Sequence, residues 1–94
     1  MARLRFTPRS RRVVATWKEG ATANDRNLMD EVLLALDDRR IWEQRWFSSD
    51  YPPDPKIKVI EPRIGLWVFV RFPAGAIDII TISYGDGKPE DEDD

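Results

Sequence analysis

Residues 64–84 read Ile64-Gly65-Leu66-Trp67-Val68-Phe69-Val70-Arg71-Phe72-Pro73-Ala74-Gly75-Ala76-Ile77-Asp78-Ile79-Ile80-Thr81-Ile82-Ser83-Tyr84. Two runs rich in β-branched and aromatic residues flank Pro73-Ala74-Gly75, a turn signal, so the segment reads as two antiparallel strands. A period of two places Ile64, Leu66, Val68, Val70 and Phe72 on one face of the first run and Trp67, Phe69 and Arg71 on the other. Both faces are largely apolar, which marks a central strand. One face is expected to pack on helices, leaving the other partly open.

Upstream, Lys56–Glu61 is a third segment of the same kind, set off by Pro62. The simplest sheet is an antiparallel meander of three strands, Lys56–Glu61, Ile64–Phe72 and Ala76–Tyr84. Before it, Ser48-Ser49-Asp50-Tyr51-Pro52-Pro53-Asp54-Pro55 contains three prolines that lack donors and fix φ. It is predicted as a loop.

From Thr22-Ala23-Asn24-Asp25 the period becomes 3.6, with Asp25 placed favourably near a helix's positive end. Leu28, Met29, Val32, Ala35 and Leu36 share one arc, and Trp42, Trp46 and Phe47 return to it. The predicted helix, Asp25 to Phe47, is about 35 Å long at 1.5 Å per residue. Leu34 and Ile41 project from the opposite side, as a partner-contacting stripe or as exposure near a kink at Arg39-Arg40. Thr7-Pro8 reads as an N-cap followed by proline in the first turn, and Gly20 as a stop. Val13, Val14 and Trp17 fall on one helical arc; their neighbourhood also alternates as a strand would, but the cap and stop favour helix. Arg3–Phe6 suits a short edge strand. The predicted class is α+β: a short N-terminal strand, two helices and the meander, in one domain over residues 1–85, with residues 86–94 a disordered acidic tail.

Composition narrows the chemistry. The 94 residues carry 15 basic and 17 acidic side chains, with no cysteine and no histidine. Thiolate chemistry, a histidine general base and most zinc sites are thereby excluded. No nucleotide-cradling glycine motif occurs, and neither a metal nor another cofactor is implied. The longest apolar runs, Val32–Leu36 and Leu66–Val70, are far short of a membrane span, and the chain reads as cytoplasmic. Charge is segregated: residues 1–20 hold six cations and one acid, residues 85–94 one cation and six acids. Arg9, Arg11 and Arg12 on the first helix are therefore candidate nucleic-acid contacts. The tail is either a solvated appendage or an acidic mimic that folds over them.

The succession Leu4-Arg5-Phe6-Thr7-Pro8-Arg9-Ser10-Arg11-Arg12, Lys56-Ile57-Lys58-Val59, Gly65-Leu66-Trp67-Val68-Phe69-Val70 and Ile79-Ile80-Thr81-Ile82-Ser83-Tyr84-Gly85 resembles the RelE/ParE family of bacterial toxins. Members similar to RelE cut mRNA on the ribosome without metal; members similar to ParE inhibit DNA gyrase by binding. The resemblance implies an antitoxin partner, and ribosome-bound mRNA or gyrase as target. Lys56 and Lys58 match the family's paired strand lysines and share one face, where they would grip phosphate; a lysine pair also protects an edge strand against aggregation. Arg63 and Arg71 would stabilise developing charge, and Tyr84, on the last strand, would move a proton. The sequence departs from the family where Val68, not arginine, follows Trp67, and where Gly85-Asp86-Gly87-Lys88 replaces a basic, aromatic end. The alternative to a ribonuclease is accordingly a non-enzymatic interaction module. For that module Leu34 and Ile41 are the candidate partner contacts.

Overall fold

Thr7 and Pro8 start the first helix as their chemistry requires. In the computed structural model, which describes residues 5–85, the Thr7 hydroxyl accepts from the Ser10 amide at 3.1 Å and caps α1 (Pro8–Gly20). The preceding β1 is Arg5–Phe6; Arg3 and Leu4 of the expected edge strand lie outside the described residues. Thr22 caps α2 (Ala23–Ala35) in the same way, accepting from the Asp25 amide at 3.1 Å. The protein is α+β, with three helices rather than two. The predicted Asp25–Phe47 helix stops after Ala35, and α3 (Arg39–Arg45) starts afresh with the Asp38 carboxylate capping the Arg40 amide at 3.1 Å. Two consecutive aspartates explain the break. Acids oppose the negative end of α2, which has no basic residue in its last turn, and a short carboxylate makes a better N-cap than a helix interior. Trp42 nonetheless reaches the core, stacked on Phe72 with ring centroids 5.8 Å apart.

The remaining strands are β2 (Phe47–Tyr51), β3 (Asp54–Arg63), β4 (Leu66–Arg71) and β5 (Ala76–Tyr84). They form a five-stranded mixed sheet in the order β1-β5-β4-β3-β2. β2 to β5 pair antiparallel in sequence order, and β1 pairs parallel with β5. Two expectations are corrected here. Residues 47–51, predicted as helix end and loop, are an edge strand, because the prolines fall in the turn (Pro52, Pro53) and at the irregular start of β3 (Pro55), leaving the β2 amides free to pair. Ile64, predicted as the first residue of the central strand on one face with Leu66, is 86 % exposed in the β3–β4 turn, where Gly65 takes φ +86°. The acidic tail at 86–94 lies outside the described residues.

Alternation sorts the two faces of the sheet. Ile60, Leu66, Val68, Val70, Ile77 and Ile79 pack against Met29, Val32, Leu36 and Trp42 from the helices. On the other face Val59, Trp67 and Phe69 form a second cluster with Tyr51, Ile57 and Ile80. A slip in the β4–β5 register between Phe69 and Val70 makes Ile80 an extra residue, so Ile79 and Ile82, three apart, both serve the helix-side cluster while Ile80 serves the other.

The helix layer is bolted to the sheet by Ser10, which is fully buried. Its hydroxyl donates to the Ile77 carbonyl at 2.9 Å and accepts from the Ile79 amide at 2.6 Å. It therefore satisfies the β5 edge where β1 has already ended. Ser10→Ala leaves the Ile79 amide buried and unpaired, and is expected to cost about 2 kcal/mol of stability. Urea denaturation should show the midpoint falling with an unchanged slope.

Candidate functional site

The side chains singled out by sequence fall into three places. The first lies at one end of the sheet, on its helix side. Asp25, in the first turn of α2, is buried and accepts two parallel hydrogen bonds from Arg63, Nε and Nη2 each at 2.8 Å. The third guanidinium nitrogen, Nη1, donates to the Ile64 carbonyl at 2.7 Å. Tyr84, opposite Leu66 in the β4–β5 register, donates its hydroxyl to Asp25 Oδ2 at 3.1 Å and stacks on Trp17 of α1. Arg63 also lies 5.7 Å from the centre of the Tyr84 ring. Arg63 and Tyr84 are thus brought together, but around a carboxylate rather than an open cleft.

The electrostatics of this group favour holding over proton transfer. Arg63 lowers the Asp25 carboxyl below its ordinary range, chiefly through the paired hydrogen bonds and against the opposing effect of burial. Partial burial, together with the Asp25 charge, raises the Tyr84 phenol. A phenol shifted upward is a hydrogen-bond donor at neutral pH, and a carboxylate shifted downward is a weak base. Gly65 closes the same corner: its carbonyl accepts from the Gly85 amide at 3.0 Å, and a Cβ on Gly65 would meet the Gly85 oxygen at 3.0 Å.

The second place is on the opposite face. Asp78, paired with Arg71 across β4–β5, has a side chain only 3 % exposed. It accepts from Thr7 Oγ1 at 2.8 Å, from Arg9 Nε at 3.1 Å and Nη2 at 2.6 Å, and from Arg71 Nε at 2.9 Å. Hydrogen bonding, led by Arg9, depresses the Asp78 carboxyl strongly. The candidate nucleic-acid contact Arg9 is therefore committed to a structural carboxylate. Arg11 and Arg12 are exposed on α1, with Arg12 beside Trp17 and Thr81.

The third place holds the lysines. Lys58 faces the helix side, opposite Val70, and forms an ion pair with Asp50 of β2. It lines a cleft of about 210 Å³ with Leu36, Asp37, Arg39, Trp42 and Phe72. Lys56, two residues away and exposed, precedes it at the start of β3. Five residues of strand separate Lys58 from Arg63, or about 16 Å. The five residues proposed for catalysis thus do not converge. Leu34 and Ile41 are exposed, at 74 % and 47 %, as is Phe47 at 54 %.

Asp25, Asp78 and Ser10 organise these places, and sequence reasoning passed over their roles. The only signal each gave was its position: Asp25 three residues after a cap, Asp78 a lone charge in an apolar strand, Ser10 three residues after Thr7. No family model, curated protein or solved structure matches this chain. Among the described residues no helix is long and apolar enough to cross a membrane.

The two depressed carboxyls give stability a defined pH dependence. Each has a folded pKa below its ordinary 3.8, so its contribution is complete above that value and is lost as pH falls toward the folded pKa. Urea midpoints recorded from neutral pH down to about pH 2 should be level at first and then decline below about pH 4. Asp25→Asn and Asp78→Asn should each lower the neutral midpoint and flatten the acid decline.

Proposed function

We propose that this protein is a cytoplasmic, non-enzymatic interaction module of RelE/ParE-like type, which acts by binding a protein partner. The observation that carries the reading is the dispersal of the cationic residues. Arg63 spends all three guanidinium nitrogens on Asp25 and Ile64, and Tyr84 is held on the same carboxylate. Arg71 is bound to Asp78 on the far face, and Lys58 sits about 16 Å along the strand from Arg63. A scissile phosphate needs its charge stabiliser and its proton carrier within hydrogen-bond reach of one point. The one point that Arg63 and Tyr84 share is occupied by Asp25 Oδ2, and neither lysine nor Arg71 joins it.

The order of a short strand, helices and an antiparallel run of strands supports the likeness to RelE/ParE toxins, as do the basic start of the first helix and the closing strand. Within that likeness the binding members fit better than the mRNA-cutting ones. The exposed apolar side chains Leu34 and Ile41 are the surface we assign to partner contact, with an antitoxin or a gyrase-like target as the class of partner. A cleavage reading keeps one point in its favour, the Lys56–Lys58 pair, of which Lys58 lines the same cleft as Arg39.

Induced expression in bacteria separates the two. Growth arrest by the wild type should survive Lys56→Ala/Lys58→Ala and be lost in Leu34→Asp/Ile41→Asp, with circular dichroism confirming that both variants fold. Arrest abolished by the lysine changes, with accumulation of cut mRNA, would return the protein to the nuclease class. No arrest by the wild type would remove the toxin-type reading.

A further inference from the structure

The strand order leaves two sheet edges, and they differ. At one edge stands β1, two of the described residues long, and beyond Phe6 its continuation is replaced by the α1 turn that carries Ser10. At the other, β2 (Phe47-Ser48-Ser49-Asp50-Tyr51) is paired, among the described residues, to β3 on one side only. Natural edges of this length are protected by lysine, proline or inward charges. Residues 47–51 contain neither lysine nor proline, and their one charge, Asp50, is already joined to Lys58 within the same hairpin.

The five residues also read nearly the same in both directions: aromatic, serine, serine, aspartate, aromatic. We infer that β2 pairs antiparallel with the β2 strand of a second copy of this chain, about a two-fold axis at Ser49, joining two five-stranded sheets into one of ten. In that register Phe47 of each copy stands opposite Tyr51 of the other, and Ser48 opposite Asp50, where its hydroxyl donates to the carboxylate. The centre holds only two serines, so nothing obstructs the approach of the backbones.

The faces agree with this pairing. Ser49 lies opposite Val59 of the second apolar cluster, and Tyr51 belongs to that cluster, edge-on to Phe69 at 5.5 Å. Phe47, two residues from Ser49, therefore projects on the same face, and it is 54 % exposed. The second copy's Phe47 would extend the Tyr51–Phe69 array by one ring. On the other face α3 packs beside β2, so the same axis brings the two α3 helices into one layer. A perpendicular two-fold makes the contact isologous and self-limiting at two copies. A single strand pair is smaller than a standard stable interface, so dissociation in the range of about 1–100 μM is expected.

The wild-type chain provides the first test. Sedimentation equilibrium should show a monomer–dimer transition in that range, and Ser49→Lys, which sets two ammonium groups face to face, should weaken it at least tenfold. The second test uses the absence of cysteine. Antiparallel partners sit about 4.5–5.5 Å apart between Cα atoms, within disulfide reach, so Ser49→Cys should cross-link to a dimer on mild oxidation. Glu19→Cys on α1 should not. A chain that stays monomeric up to about 1 mM, or one whose Ser49→Cys and Glu19→Cys forms cross-link equally slowly, would overturn the inference and leave this edge for a strand of another protein.

Discussion

A carboxylate buried at the rim of a sheet has to be paired, because an unpaired ionised group in that setting costs several kcal/mol. Asp78 is such a group, and its partners set the geometry of the molecule. Thr7 and Arg9 reach it from the junction of β1 and α1, and Arg71 reaches it from β4. The first turn of α1 is therefore fixed against the last two strands. Ser10 follows from that placement: with the turn held there, its hydroxyl meets the Ile77 carbonyl and Ile79 amide. Trp17, two turns further along α1, then arrives over Tyr84, which holds Asp25 together with Arg63. The second carboxylate cluster thus closes the far end of a structure that the first one aligns.

This arrangement bears on what the surface can do. A chain with no histidine and no cysteine must draw catalysis from lysine, arginine and tyrosine, and here most of those side chains serve the architecture. Arg63 and Arg9 each make a paired contact with a carboxylate, and those contacts hold α2 and α1 to the sheet. Beside the exposed Arg11, Arg12 and Lys56, the outward features among the described residues include the apolar Leu34, Ile41 and Phe47 and the outer side of β2. Exposed features of this kind are the ones that the proposed partner contact would cover.

Several elements were legible because their signals are local. Thr7-Pro8 and Thr22 mark helix starts within a few residues, and alternation through Leu66–Arg71 separates the side chains of the two apolar clusters. Misreadings came where a local signal was ambiguous. Asp37-Asp38 interrupts no apolar period, because Trp42 returns to the same arc whether or not the helix pauses. Phe47–Tyr51 was masked by its polar centre and by the prolines after it, although an edge strand needs only half its amides paired. For the candidate site, Arg63 and Tyr84 were picked out but their shared partner Asp25 was not. A helix-start aspartate looks the same whether it meets solvent or a guanidinium.

The amino-acid sequence by itself determined the α+β class, the starts of the first two helices, the turn at Pro73–Gly75 and the two-sided apolar character of the central strand. All of these depend on residues within about one helical turn or one strand pleat of each other. Tertiary structure decided which charges meet. Asp25 finds Arg63 across 38 residues and Tyr84 across 59, and Asp78 finds Arg9 across 69. Those encounters depend on strand order, on register and on the angle of α1, which no short window of sequence contains.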